Sequence, residues 1–410
     1  MKKDQAILHI DGDAFFVGVE VAKNSKLKGL PVVTGEERGI VSALSYEAKA
    51  LGITRGMPIF KVNKKFPSVI VLPGDYKSYV KYSKMMFNIV RRYADDVEEY
   101  SIDECFADLT GLELSLKMSY KEMAETIKKE VNDELDLSVS LGVASTKVLA
   151  KIASNWQKPN GLTVIEKDNI KEYIDKVPIE KIWGVGPKTS AKFIDLKVTT
   201  AGEFARKSMD WVRENFSKPY LSIWKELNGD SVLGIDPIIK TKYSSIQKTK
   251  SFNPFTNDRH FLLSQISKNI EGACSKARHY GLFPRKVSIF LKTQDFEMIN
   301  NTISVEFPTN APETIISLCN MEFDKIYTKG IMYRTTGVTL QDLVSTESIQ
   351  TDLFEESNDV DKFETIHNSI DLLEKKFNKK MVYLASTHSA IKHQKKGTES
   401  DDLDSDLLFL

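Results

Sequence analysis

The chain has 410 residues, 41% of them hydrophobic, and its 57 Lys+Arg balance 57 Asp+Glu, a composition that fits a soluble protein of two to four domains and excludes a fibrous or wholly disordered chain. No run approaches the roughly 18 apolar residues of a membrane span, and the short apolar run after Lys2-Lys3 is broken by His9 and Asp11, so no membrane association and no signal peptide are expected. Cys105, Cys274 and Cys319 are too few and too scattered for a disulfide framework or a zinc signature, which points to the reducing cytoplasm.

An apolar approach ending in HIDGDAFF predicts a strand over about 5–11, then a helix over about 14–22 with Asp13 as its N-cap. Short strands follow at 31–33 and 69–72 around a helical run at 46–51. A long amphipathic helix fits 76–94, strands fit 97–102 and 105–109, and a helix fits 119–134. A strand at 138–143 and a helix at 146–155 complete an α/β region that reaches about residue 165.

The composition then turns helical and short-looped to about residue 230, around WGVGPKTS (Trp183–Ser190), and an aperiodic linker follows to 243. From 244 to 341 the order is strand, helix (258–280), strand (286–293), strand (298–306), helix (311–328), strand (332–341). This α+β unit is basic: residues 240–341 hold 14 Lys/Arg against 8 Asp/Glu, whereas 342–410 hold 8 against 15. Phe363, Ile366, Ile370, Leu373 and Phe377 keep a 3–4 spacing that predicts one more amphipathic helix, and MVYLAS beyond it reads as a strand. Residues 398–410 are acidic and read as disordered apart from the terminal LLFL.

Two acidic clusters carry the chemistry. Asp11 closes the first strand, and Asp103-Glu104 sit between two short strands in YSIDECFADL. Adjacent acids in a turn are usually solvated, but with Asp11 at another strand end they would build a three-carboxylate site on one sheet. Oxygen-only ligands suit Mg²⁺ or Mn²⁺, and two such ions about 3.5–4 Å apart serve in-line phosphoryl transfer.

These two motifs, about ninety residues apart, resemble the catalytic motifs of the Y-family (lesion-bypass) DNA polymerases. The likeness continues in order through SALSYEAKALGI (Ser42–Ile53), SLGVASTKVLAKIASNWQKPNG (Ser140–Gly161) and IWGVGPKTS, over about residues 5–341. It implies a multidomain α+β protein: a palm (1–19 and 76–165) with a mixed, largely antiparallel sheet and helices, and small fingers (20–75). A helical thumb with a helix–hairpin–helix (166–231), a linker (232–243), an α+β little finger (244–341) and a C-terminal tail (342–410) complete it.

The resemblance also implies roles. Asp11, Asp103 and Glu104, with the main-chain carbonyl of Gly12, would hold two Mg²⁺, Mn²⁺ being a possible substitute. Phe16 matches the steric gate that refuses a 2′-hydroxyl, with Phe15 beside it at the nucleotide. Tyr46, Lys49 and Lys158 match contacts to the triphosphate. Lys49 stands where arginine is usual, which turns a bidentate grip into a point charge, and Ala43 stands where a threonine hydroxyl is common.

Gly184, Gly186 and Lys188 fit a hairpin whose backbone N–H groups meet a DNA phosphate at a helix N-terminus. Lys248, Lys250, Arg285, Lys286, Lys292 and Arg334 lie in or beside the strands of the basic unit, as phosphate contacts of a little finger would. Gln350, Leu353 and Phe354 in IQTDLFEE resemble the peptide that docks bacterial polymerases on the β sliding clamp, and LLFL is a second candidate.

The expected partners are therefore primer–template DNA, a dNTP and the clamp, and the protein is expected to be a monomer. The extension beyond the peptide resembles the catalytic subunit of polymerase V more than polymerase IV, which would imply an accessory subunit. The expected activity is error-prone, template-directed nucleotidyl transfer with release of pyrophosphate. A palm-type nucleotide cyclase needs neither thumb hairpin nor basic module, and an inactive DNA-binding accessory protein would not keep all three carboxylates and the gate.

Overall fold

The computed structural model describes residues 5–238, 243–345, 358–377 and 380–393. They form two compact units that divide near residue 240.

The first unit is built on a five-stranded sheet of order β5-β6-β1-β7-β8 and a small three-stranded sheet of order β3-β2-β4. Its strands are β1 (Ile7–Gly12), β2 (Val32–Thr34), β3 (Ala43–Leu44), β4 (Ile70–Leu72), β5 (Val97–Glu99), β6 (Glu104–Asp108), β7 (Val139–Ala144) and β8 (Leu162–Ile165). Central β1 runs antiparallel to both β6 and β7, and β7 runs parallel to β8.

Strand alternation splits β1 between two cores. Leu8 and Ile10 join the helices Tyr76–Val90 and Tyr120–Leu135 on one face. Ile7 joins the helix Lys147–Trp156 and the helical segment after residue 170 on the other. Ser119 and Glu122 form a capping box at Tyr120–Leu135, and Thr146 caps Lys147–Trp156, which fixes both helices where the sequence signals place them.

The Lys147–Trp156 helix lies unusually close to the sheet. A Cβ at Gly142 in β7 would meet the Ala150 carbonyl oxygen and the Ser154 nitrogen at 2.2 Å each, so only glycine allows this approach.

One strand expectation fails locally in this unit. The strand read at 97–102 stops at Glu99, because the N–H groups of Tyr100 and Ser101 both donate to the Glu104 carbonyl (3.1 Å each) and close a tight turn. The linker read at 232–243 is fastened at its start. Glu226, fully buried, accepts the N–H groups of Val232 (2.7 Å) and Leu233 (2.8 Å), and Glu98 accepts that of Asp236 (2.8 Å).

The second unit is an antiparallel sheet of order β11-β10-β12-β9, comprising β9 (Ser245–Thr256), β10 (Leu282–Thr293), β11 (Met298–Ser304) and β12 (Tyr333–Ser345). The helices Arg259–His279 and Pro312–Glu322 cover one face and share a core with Ile246, Val287, Ile289, Leu291, Val338 and Leu340.

The helix Asn358–Phe377 does not dock by its apolar stripe. Ile366, Leu373 and Phe377 are exposed, while Asp371 accepts both Nε (2.7 Å) and Nη2 (3.0 Å) of Arg278, and His367 meets Glu313 at 2.8 Å. MVYLAS is not a strand: a 3₁₀ turn at Ala385–Thr387 and a short helix at His388–Lys392 follow extended chain. Among the described residues, no helix is long and apolar enough to cross a membrane. All three cysteines are buried and free.

Candidate active site

Backbone register assembles the carboxylates. Asp11 in β1 lies directly opposite Glu104 in β6, and the Gly12 N–H donates to the Asp103 carbonyl at 2.8 Å. Asp11, Gly12, Asp103 and Glu104 thus share one end of the five-stranded sheet, as the motif pairing requires.

Each carboxylate has a dedicated protein partner. Asp11 forms an ion pair with Lys158. Asp103 accepts a hydrogen bond from the Ser101 hydroxyl (2.6 Å). Glu104 Oε2 accepts from Lys151 Nζ (2.6 Å) and from His9 Nε2 (3.1 Å). Among the described residues no three His, Cys, Asp or Glu side chains converge as a ready-made metal cage. Lysine ammonium groups meet the charge of Asp11 and Glu104, and the donor set is oxygen only, so the site fits hard cations such as Mg²⁺.

Burial and neighbours split the two facing acids. Burial pushes Asp11 up to about 6, against the pull of Lys158 and with help from Asp103 and Glu104. Burial also opposes ionisation of Glu104, but the His9 hydrogen bond and the Lys151 charge outweigh it and hold Glu104 down at about 2. Fully buried His9 is itself pushed down to about 4 by burial, so its imidazole is neutral at physiological pH.

Asp13 is not a helix cap. The helix Phe15–Lys23 starts behind Ala14 in the left-handed region (φ 48°) without a side-chain cap. The buried Asp13 carboxylate instead accepts from Ser138 Oγ (2.8 Å), Ser140 Oγ (2.8 Å) and the Asn160 N–H (2.7 Å). It therefore ties β1 to β7 and to the turn that carries Lys158.

The Phe16 ring is half-buried, stacked on Tyr79 (4.3 Å, 10°) and edge-on to Tyr76 (5.7 Å). Phe15 turns inward, is 3% exposed and packs in the hydrophobic core. Tyr46 lies near the carboxylates: burial, Asp13 and Asp11 push its phenol up to about 12. Lys49 is exposed with its ammonium 5.8 Å from the Tyr46 ring.

In the hairpin, Gly184 has φ 86° and Gly186 has open space where a Cβ would stand. Gly186 precedes the helix Pro187–Asp195, and Lys188 in its first turn is exposed. Trp183 anchors the hairpin to the sheet, donating from Nε1 to the Tyr100 hydroxyl (2.9 Å) and packing against Phe106 (5.6 Å).

The sheet of the second unit sorts the predicted basic residues by face. Lys286, Ser288 and Lys292 of β10 share the bare face with Phe290: Ser288 lies opposite Thr339 and Thr302, Lys292 opposite Thr335 and Met298, and Phe290 opposite Asn300. Lys248 and Lys250 share the parity of buried Ile246 and Phe252, and the Lys248 stem lies 3.8 Å from the Cβ position of Gly272 in the covering helix. These two lysines belong to the helix side. Arg285 is exposed on that same parity, and Arg334 stacks on Phe296 (3.8 Å) and Phe255 (5.5 Å) at the edge of the sheet. The peptide Gln350–Phe354 and the terminal LLFL lie outside the described residues.

Sequence reasoning missed His9, Ser101 and Lys151. A histidine inside an apolar strand and a lysine seven residues before Lys158 are the only signals they leave.

Models of three family segments match this chain: the impB/mucB/samB family over residues 10–155, the IMS family HHH motif over 167–198, and the impB/mucB/samB family C-terminal domain over 243–353. DNA polymerase IV of Desulfatibacillum aliphaticivorans is 31% identical over 90% of this chain and 93% of its own. DNA polymerase IV 1 of Bacillus subtilis is 30% identical over 97% of this chain and 96% of its own. The C-terminal extension is thus largely shared with a protein named polymerase IV 1, and does not set the chain apart toward polymerase V. The fold is that of a Y-family DNA polymerase chimera, with TM-score 0.69 and 23% identity over 83% of this chain and 100% of the other. The chain belongs to the impB/mucB/samB family, the Y-family DNA polymerases, and is a DNA-directed DNA polymerase of the translesion class.

Proposed function

We propose that Asp11, Asp103 and Glu104, with the Gly12 carbonyl, hold two Mg²⁺ ions, Mn²⁺ substituting, for nucleotidyl transfer from a dNTP to a primer 3′-hydroxyl. The observation that carries this reading is the register that sets Asp11 opposite Glu104 with Gly12 bound to Asp103. The chemistry supplied by the ions when bound is acidification of the 3′-hydroxyl and neutralisation of charge on the departing pyrophosphate.

The protein's own residues do the rest. Lys158, now on Asp11, exchanges that carboxylate for the triphosphate, joined by Lys49 and the Tyr46 hydroxyl. Phe16, braced by Tyr79 and Tyr76, closes the space that a 2′-hydroxyl needs. Ionised Glu104 keeps its ligand oxygens at physiological pH because Lys151 and His9 hold its proton affinity low.

The domain layout follows the same reading: palm (1–19 and 76–165), fingers (20–75), thumb (166–231), linker (232–243), little finger (244–341) and tail (342–410). Gly184, Gly186 and Lys188 receive a phosphate of the primer–template duplex. The bare sheet face of the little finger lays hydroxyl and amide groups, Lys286 and Lys292 along the backbone. Gln350, Leu353 and Phe354 dock on the β sliding clamp, and the polymerase acts as a cytoplasmic monomer. Loss of clamp-stimulated synthesis in Leu353→Ala/Phe354→Ala, with unstimulated synthesis intact, is the expected result for that contact.

Primer extension with Mg²⁺ on damaged and undamaged templates tests the central reading. Wild-type protein extends both, and Asp103→Ala, correctly folded by its melting curve, extends neither; synthesis that survives this substitution refutes the assignment.

A further inference from the structure

We propose that His9 is a positioning residue for Glu104: held at Nδ1 by the Ser154 hydroxyl, its imidazole donates from Nε2 and fixes the carboxylate as a metal ligand. The inference rests on the two-ion reading above and adds a residue to it.

The hydrogen-bond chain crosses three elements. Ser154 Oγ lies 2.7 Å from His9 Nδ1, and His9 Nε2 lies 3.1 Å from Glu104 Oε2. Oε2 of Glu104 accepts from the Lys151 ammonium and faces the ring as an acceptor, so Nε2 carries the imidazole proton and Nδ1 presents a lone pair. The Ser154 proton has a competing acceptor in the Lys151 carbonyl at 3.0 Å. With Nδ1 unprotonated, donation to the ring completes the chain and locks the tautomer, as carboxylate–histidine pairs around metal sites commonly do.

Two features show that the contact is built into the fold. Gly142 pairs with His9 across β7 and β1, and its missing Cβ is what lets the Lys147–Trp156 helix bring Ser154 to the ring. Lys151 and His9 also converge on one oxygen, Oε2, which leaves Oε1 of Glu104 with no protein partner among the described residues. The anchored oxygen fixes the carboxylate plane, and the other stays open to a cation. Simple core filling requires neither the donor nor the Ser154 contact, although the ring also packs on Phe106 at 4.5 Å.

The test measures Mn²⁺ binding directly, by electron paramagnetic resonance, on the full chain bound to a dideoxy-terminated primer–template and the matching dNTP. Melting curves and single-turnover rates on an extendable primer run in parallel. His9→Leu keeps volume but removes both polar atoms, and is expected to weaken Mn²⁺ binding and lower the rate constant about tenfold or more, with dNTP affinity unchanged within about twofold. His9→Gln, which can still donate, recovers most of the loss, and Ser154→Ala shows a smaller loss in the same direction. Wild-type Mn²⁺ affinity in His9→Leu, or no recovery in His9→Gln, overturns the proposal. If His9→Leu does not fold, unchanged Mn²⁺ affinity in Ser154→Ala overturns it. Glu104→Ala separates the two claims, because wild-type Mn²⁺ binding there defeats the metal-ligand reading itself.

Discussion

The two large sheets of this polymerase handle charge in opposite ways. The palm sheet is covered on both faces, so its acids are enclosed and each has a named partner: Asp11 with Lys158, Asp103 with Ser101, Glu104 with Lys151 and His9. Among the described residues the little-finger sheet is covered on one face only, and on its other side Lys286, Ser288, Phe290 and Lys292 alternate along β10 beside Thr302, Asn300, Thr335 and Thr339. Enclosure makes charge expensive and shifts proton affinities, which suits chemistry at one point. An open polar face suits contact with a repeating backbone of any sequence.

The comparison breaks most readily at Asp11. Asp11→Asn is expected to cut nucleotide incorporation by about 10³-fold or more, an effect of several kcal/mol at a metal carboxylate. The same change should not destabilise the protein at pH 8. Burial raises Asp11 from 3.8 to about 6, so its ionised form opposes folding. That penalty is absent below pH 3.8, grows as pH rises toward 6 and is constant above, with an upper bound of about 3 kcal/mol. Thermal melts of wild type and Asp11→Asn from pH 4 to 8 should therefore diverge with rising pH, the variant being the more stable. A variant less stable at pH 8 than at pH 4, relative to wild type, would mean that the Lys158 pair outweighs burial.

The next largest effect concerns the aromatic wall beside the acids. Phe16→Ala should raise ribonucleotide incorporation relative to deoxyribonucleotide by about 10²-fold, because it removes the ring of the proposed gate, which stacks on Tyr79. Competition kinetics on one template measure the ratio, and an unchanged ratio would remove Phe16 from the gate.

The smallest effect sharpens the account of the open sheet. Replacing Lys286 and Lys292 with alanine should weaken duplex binding and lower the slope of log K against log salt by about 1.8, or about 0.9 per phosphate contact. Replacing Lys248 and Lys250, on the helix side, should leave the slope unchanged. Equal effects from both pairs would show that face does not decide contact.

Local patterns made much of this molecule readable. HIDGDAFF and YSIDECFADL reveal strand ends with acids, and the strand and helix periods of the palm are strong enough to set most elements. What stayed hidden depends on long-range geometry. Asp13 resembles a cap by its position, yet its partners Ser138, Ser140 and Asn160 lie more than a hundred residues away. His9 reads as an interruption of an apolar strand until Gly142 lets a helix settle over it. Lys248 and Lys250 count toward a basic patch, but only parity within β9 tells which side they face. The apolar 3–4 spacing at 363–377 predicts a helix correctly but does not reveal its polar contacts, Asp371 with Arg278 and His367 with Glu313, which depend on residues far off in the chain.

The most direct test of the palm account is a crystal structure of the complex with dideoxy-terminated primer–template, matching dNTP and Mn²⁺, read by anomalous scattering. Two Mn²⁺ peaks bounded by Asp11, Asp103 and Glu104 are expected, with Lys158 moved from Asp11 to the triphosphate. Mn²⁺ bound elsewhere, or Lys158 still paired with Asp11 over an intact nucleotide, would contradict the palm account.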